Sequence, residues 1–569
     1  MLRLTEVKLP LNHPDDDLKT AFLKRLGISA DELISYVIFR RSYDARKPSA
    51  IVFTYTLDIK VKNEAALLQR LQGDKHISLT PDTSYHFVTH APTKLASRPI
   101  VIGTGPCGIF AALILAQMGF CPIVLERGKA VRERTKDTFG LWRQKKLNPE
   151  SNVQFGEGGA GTFSDGKLHS QIKDPKHYGR KVLMEFVKAG APEEILYVSK
   201  PHIGTFRLVG MVEEMRASIE AIGGEIRFQS KVEDIVIDNG QVRGVVLSSG
   251  ELIASDHVVL AVGHSARDTF HMLYQRGVYM EAKPFSIGFR IEHPQTLIDR
   301  CRFGKNAGNP LLGAADYKLV HHCGNGRSVY SFCMCPGGTV VAAASEEGRV
   351  VTNGMSQYSR NERNANAGMV VGIEPADFPQ TFPQDTPLWT AAFGEADGAR
   401  YASEARALAA RGQTHPLAGI VLQRELEARA YTLGGGTYEA PGQLVGDFVA
   451  QQPSTALGTV EPSYQPGVKL GDLTPALPAY AIEAMREAIP VFGRKIKGYD
   501  MADAVLTGVE TRTSAPLRIT RGPDFQSLNT RGLYPAGEGA GYAGGILSAG
   551  VDGLKVAEAV ARDALGLPA

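Results

Sequence analysis

The apolar positions fall into short runs of three to six residues, set between glycines and polar turns rather than spread in long stripes. Such runs read as buried strands, and the longer 3.6-period stretches between them read as helices. The clearest case is residues 99–128, PIVIGTGPCGIFAALILAQMGFCPIVLERG. The strand Ile100–Ile102 leads into a helix from Ile109 to Met118, and a second strand, Ile123–Leu125, follows. Residues 224–263 carry four more extended runs, Glu225–Gln229, Val232–Ile237, Val242–Leu247 and His257–Ala261. Upstream, an extended run at Leu2–Leu9 precedes an amphipathic helix around Asp16–Leu26, strands Ser35–Arg41 and Ala50–Lys60, a helix Glu64–Leu71 and a last strand near Tyr85–Thr89. That β-α-β-β-α-β order predicts a ferredoxin-like plait at the N-terminus.

Length and composition narrow the class. The chain has 569 residues, 43% hydrophobic and 22% charged, enough for several domains with ordinary cores. Disorder, fibrous repeats and a disulfide scaffold are excluded. The net charge is +3, and residues 1–97 hold all of that excess, with fourteen basic and eleven acidic residues. The cluster Arg40, Arg41, Arg46, Lys47 sits on that module's hairpin and reads first as a solvated turn, so nucleic acid is not the expected partner. No run is long enough to span a bilayer. The first residues lack the apolar core of a secretory signal, and the six cysteines have no framework spacing, so reduced thiols in the cytoplasm are expected.

Chemistry enters with the glycines. Gly103-x-Gly105-x-x-Gly108 lies between strand and helix, with Pro106 and Cys107 at the helix start and Glu126 eighteen positions after Gly108, followed by Arg127. Gly103 makes the tight turn, Gly105 admits a pyrophosphate to the backbone, and Gly108 allows close helix–strand contact. The helix N-terminus offers N–H groups and a positive dipole end to the phosphates. A carboxylate at Glu126 suits ribose hydroxyls and repels a 2′-phosphate, so NADP is not the resident nucleotide. Residues 532–553, GLYPAGEGAGYAGGILSAGVDG, resemble the second flavin motif of glutathione-reductase-like FAD proteins. The resemblance implies that Gly537 and Glu538 meet the ribityl–pyrophosphate region and that Gly544, Gly545 and Ile546 start a helix aimed at the flavin. In the same superfamily a strand ending in glycine follows a small meander, which points to Val232 and Gly263. These motifs in this order identify FAD as the cofactor.

Six further segments, FGEGGAGTFSDGKLHSQIKD (155–174), KPHIGTFRL (200–208), KPFSIGFRIEHPQ (283–295), SFCMCPGG (331–338), TNGMSQYSRNERNANAG (352–368) and GVETRTSAPLRI (508–519), resemble a bacterial family of FAD-dependent dehydrogenases or FAD-dependent proteins with no settled substrate. The expected fold is α/β: a Rossmann-like FAD-binding domain in two pieces, residues 93–285 and 500–569, with an inserted α+β substrate domain, 286–499, and the plait, 1–92. The loop with Gly158, Gly159, Thr162, Ser164, Asp165 and Lys167 is expected to run under the pyrophosphate and ribityl chain.

Catalytic candidates are Arg512 and Thr513, just before the second flavin motif, and the pair Cys333 and Cys335. Arg512 suits an anionic substrate group or a structural ion pair. The cysteines suit a strained disulfide, a zinc site with Cys323 and His322, or plain packing beside the turn Pro336-Gly337-Gly338, and packing is the first reading, with no metal expected. Tyr358, Arg360 and Asn364 are further candidates on the substrate side, whereas Glu292 and His293 point apart on a strand. The expected function is an FAD-dependent oxidoreductase moving hydride through flavin N5 to or from a small molecule. No second nucleotide fingerprint is present, so electrons are expected from NADH or NADPH docking transiently, from the substrate, or from a separate carrier. Alternatives are a flavin-dependent RNA-modifying enzyme with the plait as its RNA arm, and a non-catalytic flavin-binding regulator.

Overall fold

The computed structural model describes residues 1–170, 172–379 and 385–568, so Gln171 of the Gly-rich segment lies outside it. Five three-residue strands form a parallel sheet in the order Leu533–Pro535, Val258–Leu260, Ile100–Ile102, Ile123–Leu125, Glu225–Arg227. Side chains alternate across it. Val101, Val124, Val259 and Tyr534 face the core made with helices Pro106–Gln117, Tyr178–Lys188, Thr205–Ala221 and Ile546–Ala564. Ile100, Ile102, Ile123, Leu125, Val258 and Leu260 face the opposite core. There the antiparallel meander Val232–Asp238, Gln241–Leu247, Leu252–Ala254 covers the sheet. Because both faces are covered, the four strands inside the edge strand Glu225–Arg227 are buried and carry no charged residue. Counted along the chain, the strand order is 3-2-1-4-5. The connections reverse direction between Ile100–Ile102 and Val258–Leu260, which opens a crevice at the carboxyl ends of the strands.

A second sheet has seven strands, in the order Val320–His322, Ser328–Cys335, Asn364–Ile373, Phe285–Pro294, Val505–Glu510, Ala440–Leu444, Val468–Leu470. Its pairs are antiparallel except the last. Phe285–Pro294 and Asn364–Ile373 are buried almost end to end, as central strands covered on both faces must be. Val505–Glu510 is also central here, so the expected division at residue 499 cuts this sheet. The strand's pairing partners, Phe285–Pro294 and Ala440–Leu444, lie far away in the chain, which local pattern does not show.

The N-terminal residues form an antiparallel sheet, Leu33–Asp44, Val52–Val61, Leu2–Pro10, Ile77–Leu79, with helices Asp15–Leu26 and Glu64–Arg70. The fourth strand is Ile77–Leu79, not the segment near Tyr85–Thr89. Tyr85 instead donates to Glu558 Oε1 at 3.0 Å, and Lys181 lies over the Tyr85 and Phe87 rings, so these aromatics pack on helices of the first sheet. The core of this module is continuous with Ile298, Phe303, Met334 and Ala365 from the seven-stranded sheet and its flank. Of the basic cluster, Arg46 pairs with Asp44, and Arg41 donates its backbone N–H to Tyr197 O at 2.6 Å. No helix among the described residues is long and apolar enough to cross a membrane.

Candidate functional site

A cleft of about 410 Å³ runs along the crevice, within the range of small-molecule and cofactor sites. It is lined by Glu126, Arg127, Ser230, Lys231 and Val232, by Gly103, Gly105, Pro106, Cys107, Gly159, Gly537, Glu538 and Gly545, and by Cys333, Glu510, Arg512 and Thr513. Ser164, Asp165, Lys167, Gly263, Gly544 and Ile546 complete the wall.

The glycines that shape the cleft are required by packing. A Cβ on Gly103, whose φ is +99°, would lie 2.4 Å from Ala261 O. One on Gly108 would lie 1.9 Å from Gly103 O, one on Gly159 2.8 Å from Gly105 Cα, and one on Gly537 2.8 Å from Cys107 Cβ. Two loops and a helix start thus meet backbone to backbone. The helix begins at Pro106 after Gly105 with no side-chain cap, so its first N–H groups face the cleft. Helix Ile546–Ala564 likewise begins uncapped at Gly545. A narrow glycine cradle, two helix N-termini and a carboxylate are the donor and acceptor set of a dinucleotide, and FAD fits it.

Glu126 stands where the fingerprint puts it, yet it is nearly saturated by the protein. Its Oε2 accepts from Thr104 N–H (3.0 Å) and Thr104 Oγ1 (2.6 Å), and its Oε1 from Gly128 and Gly156 N–H (2.9 and 3.0 Å). The carboxylate therefore ties the Gly103–Gly108 turn to the Gly156 loop, which Arg134 clamps from below. That fully buried guanidinium donates to the carbonyls of Asn152, Val153 and Glu157 at 2.8, 2.8 and 2.6 Å. Arg127 pairs with Glu150 and Asp268 and stacks 4.2 Å from the Phe155 ring.

Gly108, Gly158, Thr162 and Cys335 are not in the cleft wall. Gly108 sits behind it as a packing glycine. Thr162 Oγ1 donates back to Glu157 O at 3.3 Å and closes against Gly158, where a Cβ would lie 2.1 Å away. Asp165 does reach the cleft, held by Arg360 and Lys167. Tyr358 bonds Glu194, and Asn364 donates to Glu292 at 3.0 Å. Glu292 and His293 diverge as expected, one to Ser463, the other to Tyr499 O. Among the described residues, the cluster with metal-ligand atoms close together is His321, Cys323 and Glu487, within 4.8 Å. It excludes His322, Cys333 and Cys335, so the zinc alternative on those cysteines has no geometry.

Arg512 is held in a buried network. Its Nε and Nη2 donate to Glu427 (3.0 and 2.8 Å) and its Nη1 to Ser345 and Ser265 (2.6 and 3.1 Å), which engages four of five N–H groups. Thr513 Oγ1 exchanges bonds with Ser286, donating to its O at 3.1 Å and accepting from its N at 3.0 Å. The sequence reading passed over His264 and Glu510, which also line the cleft. Burial, then Arg512 and Arg267, lowers the His264 imidazole to about 3, so it is neutral, with Nδ1 2.9 Å from Ser265 Oγ. Its position directly after Gly263, past the end of a parallel strand, was the available signal.

Glu538 is the other displaced group. Burial pushes its carboxyl up to about 7, with the Lys283 ammonium opposing. A carboxyl raised in the folded state holds its proton more tightly there than in the unfolded chain. Its contribution is therefore complete below about pH 4.5 and is lost as pH rises through about 7, a loss of about 2 kcal/mol after allowing for solvent screening. Glu538→Gln is expected to flatten that slope. Denaturation midpoints at pH 5 and pH 8 check this; an unchanged difference in the variant would assign the slope elsewhere.

The family described as FAD-dependent protein, C-terminal domain-like, matches residues 284–410 and 399–513, the span of the seven-stranded sheet. A domain of unknown function matches residues 1–60. An uncharacterized protein of Clostridium beijerinckii is 46% identical over 558 residues, covering 98% of each chain. Distant similarity extends to glycine oxidase from Geobacillus kaustophilus (10% identity, 82% of this chain and 95% of that one, TM-score 0.34). It extends also to the L-amino acid deaminase of Proteus myxofaciens (12%, 85% and 93%, TM-score 0.33). With an end-to-end relative at this identity and its central domain matched, the chain belongs to the family of FAD-dependent proteins.

Proposed function

We propose that the protein is an FAD-dependent oxidoreductase that moves a hydride between flavin N5 and a small molecule. The observation that carries the reading is one continuous cleft joining Gly103–Cys107, Gly159–Gly161, Ser164–Lys167, Gly263, Gly537–Glu538 and Gly544–Ile546, segments far apart in the chain. FAD bound there supplies two-electron redox chemistry. The protein's part is positional and electrostatic. Glu126 and Arg134 fix the loops against which the nucleotide lies, and the two helix N-termini, which both approach Gly161, favour negative charge between them. Arg512, fixed by Glu427, keeps one N–H and its positive field at the end where Cys333 and Glu510 meet the cleft.

The test is anaerobic mixing of the FAD-loaded protein with NADH and then NADPH while the visible flavin band is followed. Bleaching by one nucleotide is the expected result and identifies a reductase. A protein that retains no flavin after reconstitution overturns the reading.

A further inference from the structure

Strand Ser328–Cys335 does not run straight to its end. Phe332 pairs with Gly368 and Cys335 with Asn366, so three steps on this strand face two on its neighbour. That is a β-bulge, and it contracts the chain at Cys333-Met334-Cys335. Cys333 has φ +41°, a left-handed backbone rarely adopted by a residue with a Cβ. Three restraints hold it there. Arg290 Nη1 donates to Cys333 O at 2.9 Å, Lys167 Nζ donates to Met334 O, and the Met334 side chain is buried in the core shared with the N-terminal module. Backbone strain held this firmly tends to mark functional sites.

The result places one cysteine in the cleft wall and the other directly behind it. Cys333 is half-buried in the cleft wall, while Cys335 is fully buried behind it, its Sγ 3.4 Å from Cys333 O. The neighbouring Cys335 side chain, with the Lys167 ammonium and Arg290 guanidinium, holds the Cys333 thiol below the ordinary thiol range against the push of burial. Cys335, as donor, is pushed up. An exchanging pair needs one thiol that ionises more readily than its partner, and the two displacements run in those opposite directions. Straight extended chain puts an i,i+2 pair near the geometric limit for a bridge, about 6.8 Å between Cα atoms. The register shift takes these residues out of straight extended geometry.

We propose that Cys333 and Cys335 are a redox-active dithiol that exchanges an electron pair with flavin bound in the cleft, closing and reopening a Cys333–Cys335 disulfide. The proposal rests on the flavin reading above. The step balances without another reactant. Cys333 enters as thiolate and Cys335 as thiol, the S–S bond forms, and the Cys335 proton and two electrons pass to the oxidised isoalloxazine; the reverse reopens the bridge.

An anaerobic reductive titration of the air-oxidised, FAD-loaded protein tests this, read together with the mass of the tryptic peptide 328–349, which carries both cysteines. Wild type is expected to take up two electron pairs per flavin, and Cys333→Ala and Cys335→Ala one pair each. The wild-type peptide lacks two hydrogens before reduction and accepts two alkyl groups after it. Uptake of one pair by wild type, with the peptide alkylated twice before any reduction, overturns the proposal while leaving the flavin reading intact. The wild-type result alone decides, should a variant fail to fold. Absence of bound flavin is visible in the starting spectrum and fails both readings at once.

Discussion

Gly108→Ala is expected to give a protein that retains no flavin and unfolds at markedly lower denaturant than wild type. The new Cβ would stand 1.9 Å from Gly103 O and 2.9 Å from Gly103 C. Both are backbone atoms of the turn that lines the cleft, so no side-chain rotation relieves the clash. Either the helix Pro106–Gln117 moves off the sheet, breaking the fully buried face it makes with Val101 and Val124, or Gly103 moves. Gly103 is pinned by its N–H to Leu125 O at 2.8 Å and by the close approach of Ala261 O. Either route costs about 3 kcal/mol or more and misplaces the helix N-terminus against the cleft. Gly210→Ala is the matched control. It lies in helix Thr205–Ala221 with open space where its Cβ would go, and it is expected to leave flavin retention unchanged and to stabilise by about 0.5–1 kcal/mol. Flavin-to-protein ratio after reconstitution and denaturant midpoints for the two variants check the pair. Equal retention by both would remove the close-packing account of the fingerprint.

What made the first half of the site legible was this kind of constraint. Gly103 and Gly108 can be only glycine where a turn, a strand and a helix meet, while a Cβ on Gly105 would stand 3.8 Å from Gly159 Cα, so there the motif answers to the cleft and not to packing. The Gly-rich loop 156–167 was legible as a whole and not residue by residue. Gly159, Ser164, Asp165 and Lys167 reach the cleft, whereas Gly158 and Thr162 turn behind it, and composition does not say which residue of a turn faces which way. Tyr85 and Phe87 alternate as a strand would, but their partners are Lys181, Tyr178 and Glu558 on helices, and local pattern cannot distinguish those two fates. Glu126 shows the same limit from the other side. Its position follows from the motif, while the donors that occupy it come from Thr104, Gly128 and Gly156. Least legible was the surrounding of Arg512, because Ser265, Ser345 and Glu427 converge on it from three separate stretches of chain.

Glu427→Ala is expected to cost about 3–5 kcal/mol, because it strands two buried guanidinium groups together. Glu427 has no exposed surface and sits on helix Ala418–Leu433 with Gln423 one turn before it. Its oxygens accept from Arg267 Nη1 and Nη2 (3.0 and 2.6 Å), Arg512 Nε and Nη2 (3.0 and 2.8 Å) and Thr511 Oγ1 (2.9 Å). Burial alone would raise this carboxyl; Arg267 and then Arg512 outweigh it and hold it at about 2. Arg267 retains Glu346 at 2.8 Å in the variant, but Arg512 retains only two serine hydroxyls. Arg512 is therefore the group that becomes uncompensated, and its relief has a signature. Glu427→Ala/Arg512→Met is expected to be less destabilised than Glu427→Ala alone, a non-additivity that denaturation midpoints of the three variants measure. The cycle also separates two roles for Arg512. If it serves only to hold the carboxylate, the double variant recovers flavin retention and electron uptake along with stability. If its remaining N–H acts on a bound group at the Cys333 end of the cleft, stability returns and electron transfer does not. The geometry, with Arg512 in the cleft wall beside Glu510 and Cys333, favours the second outcome.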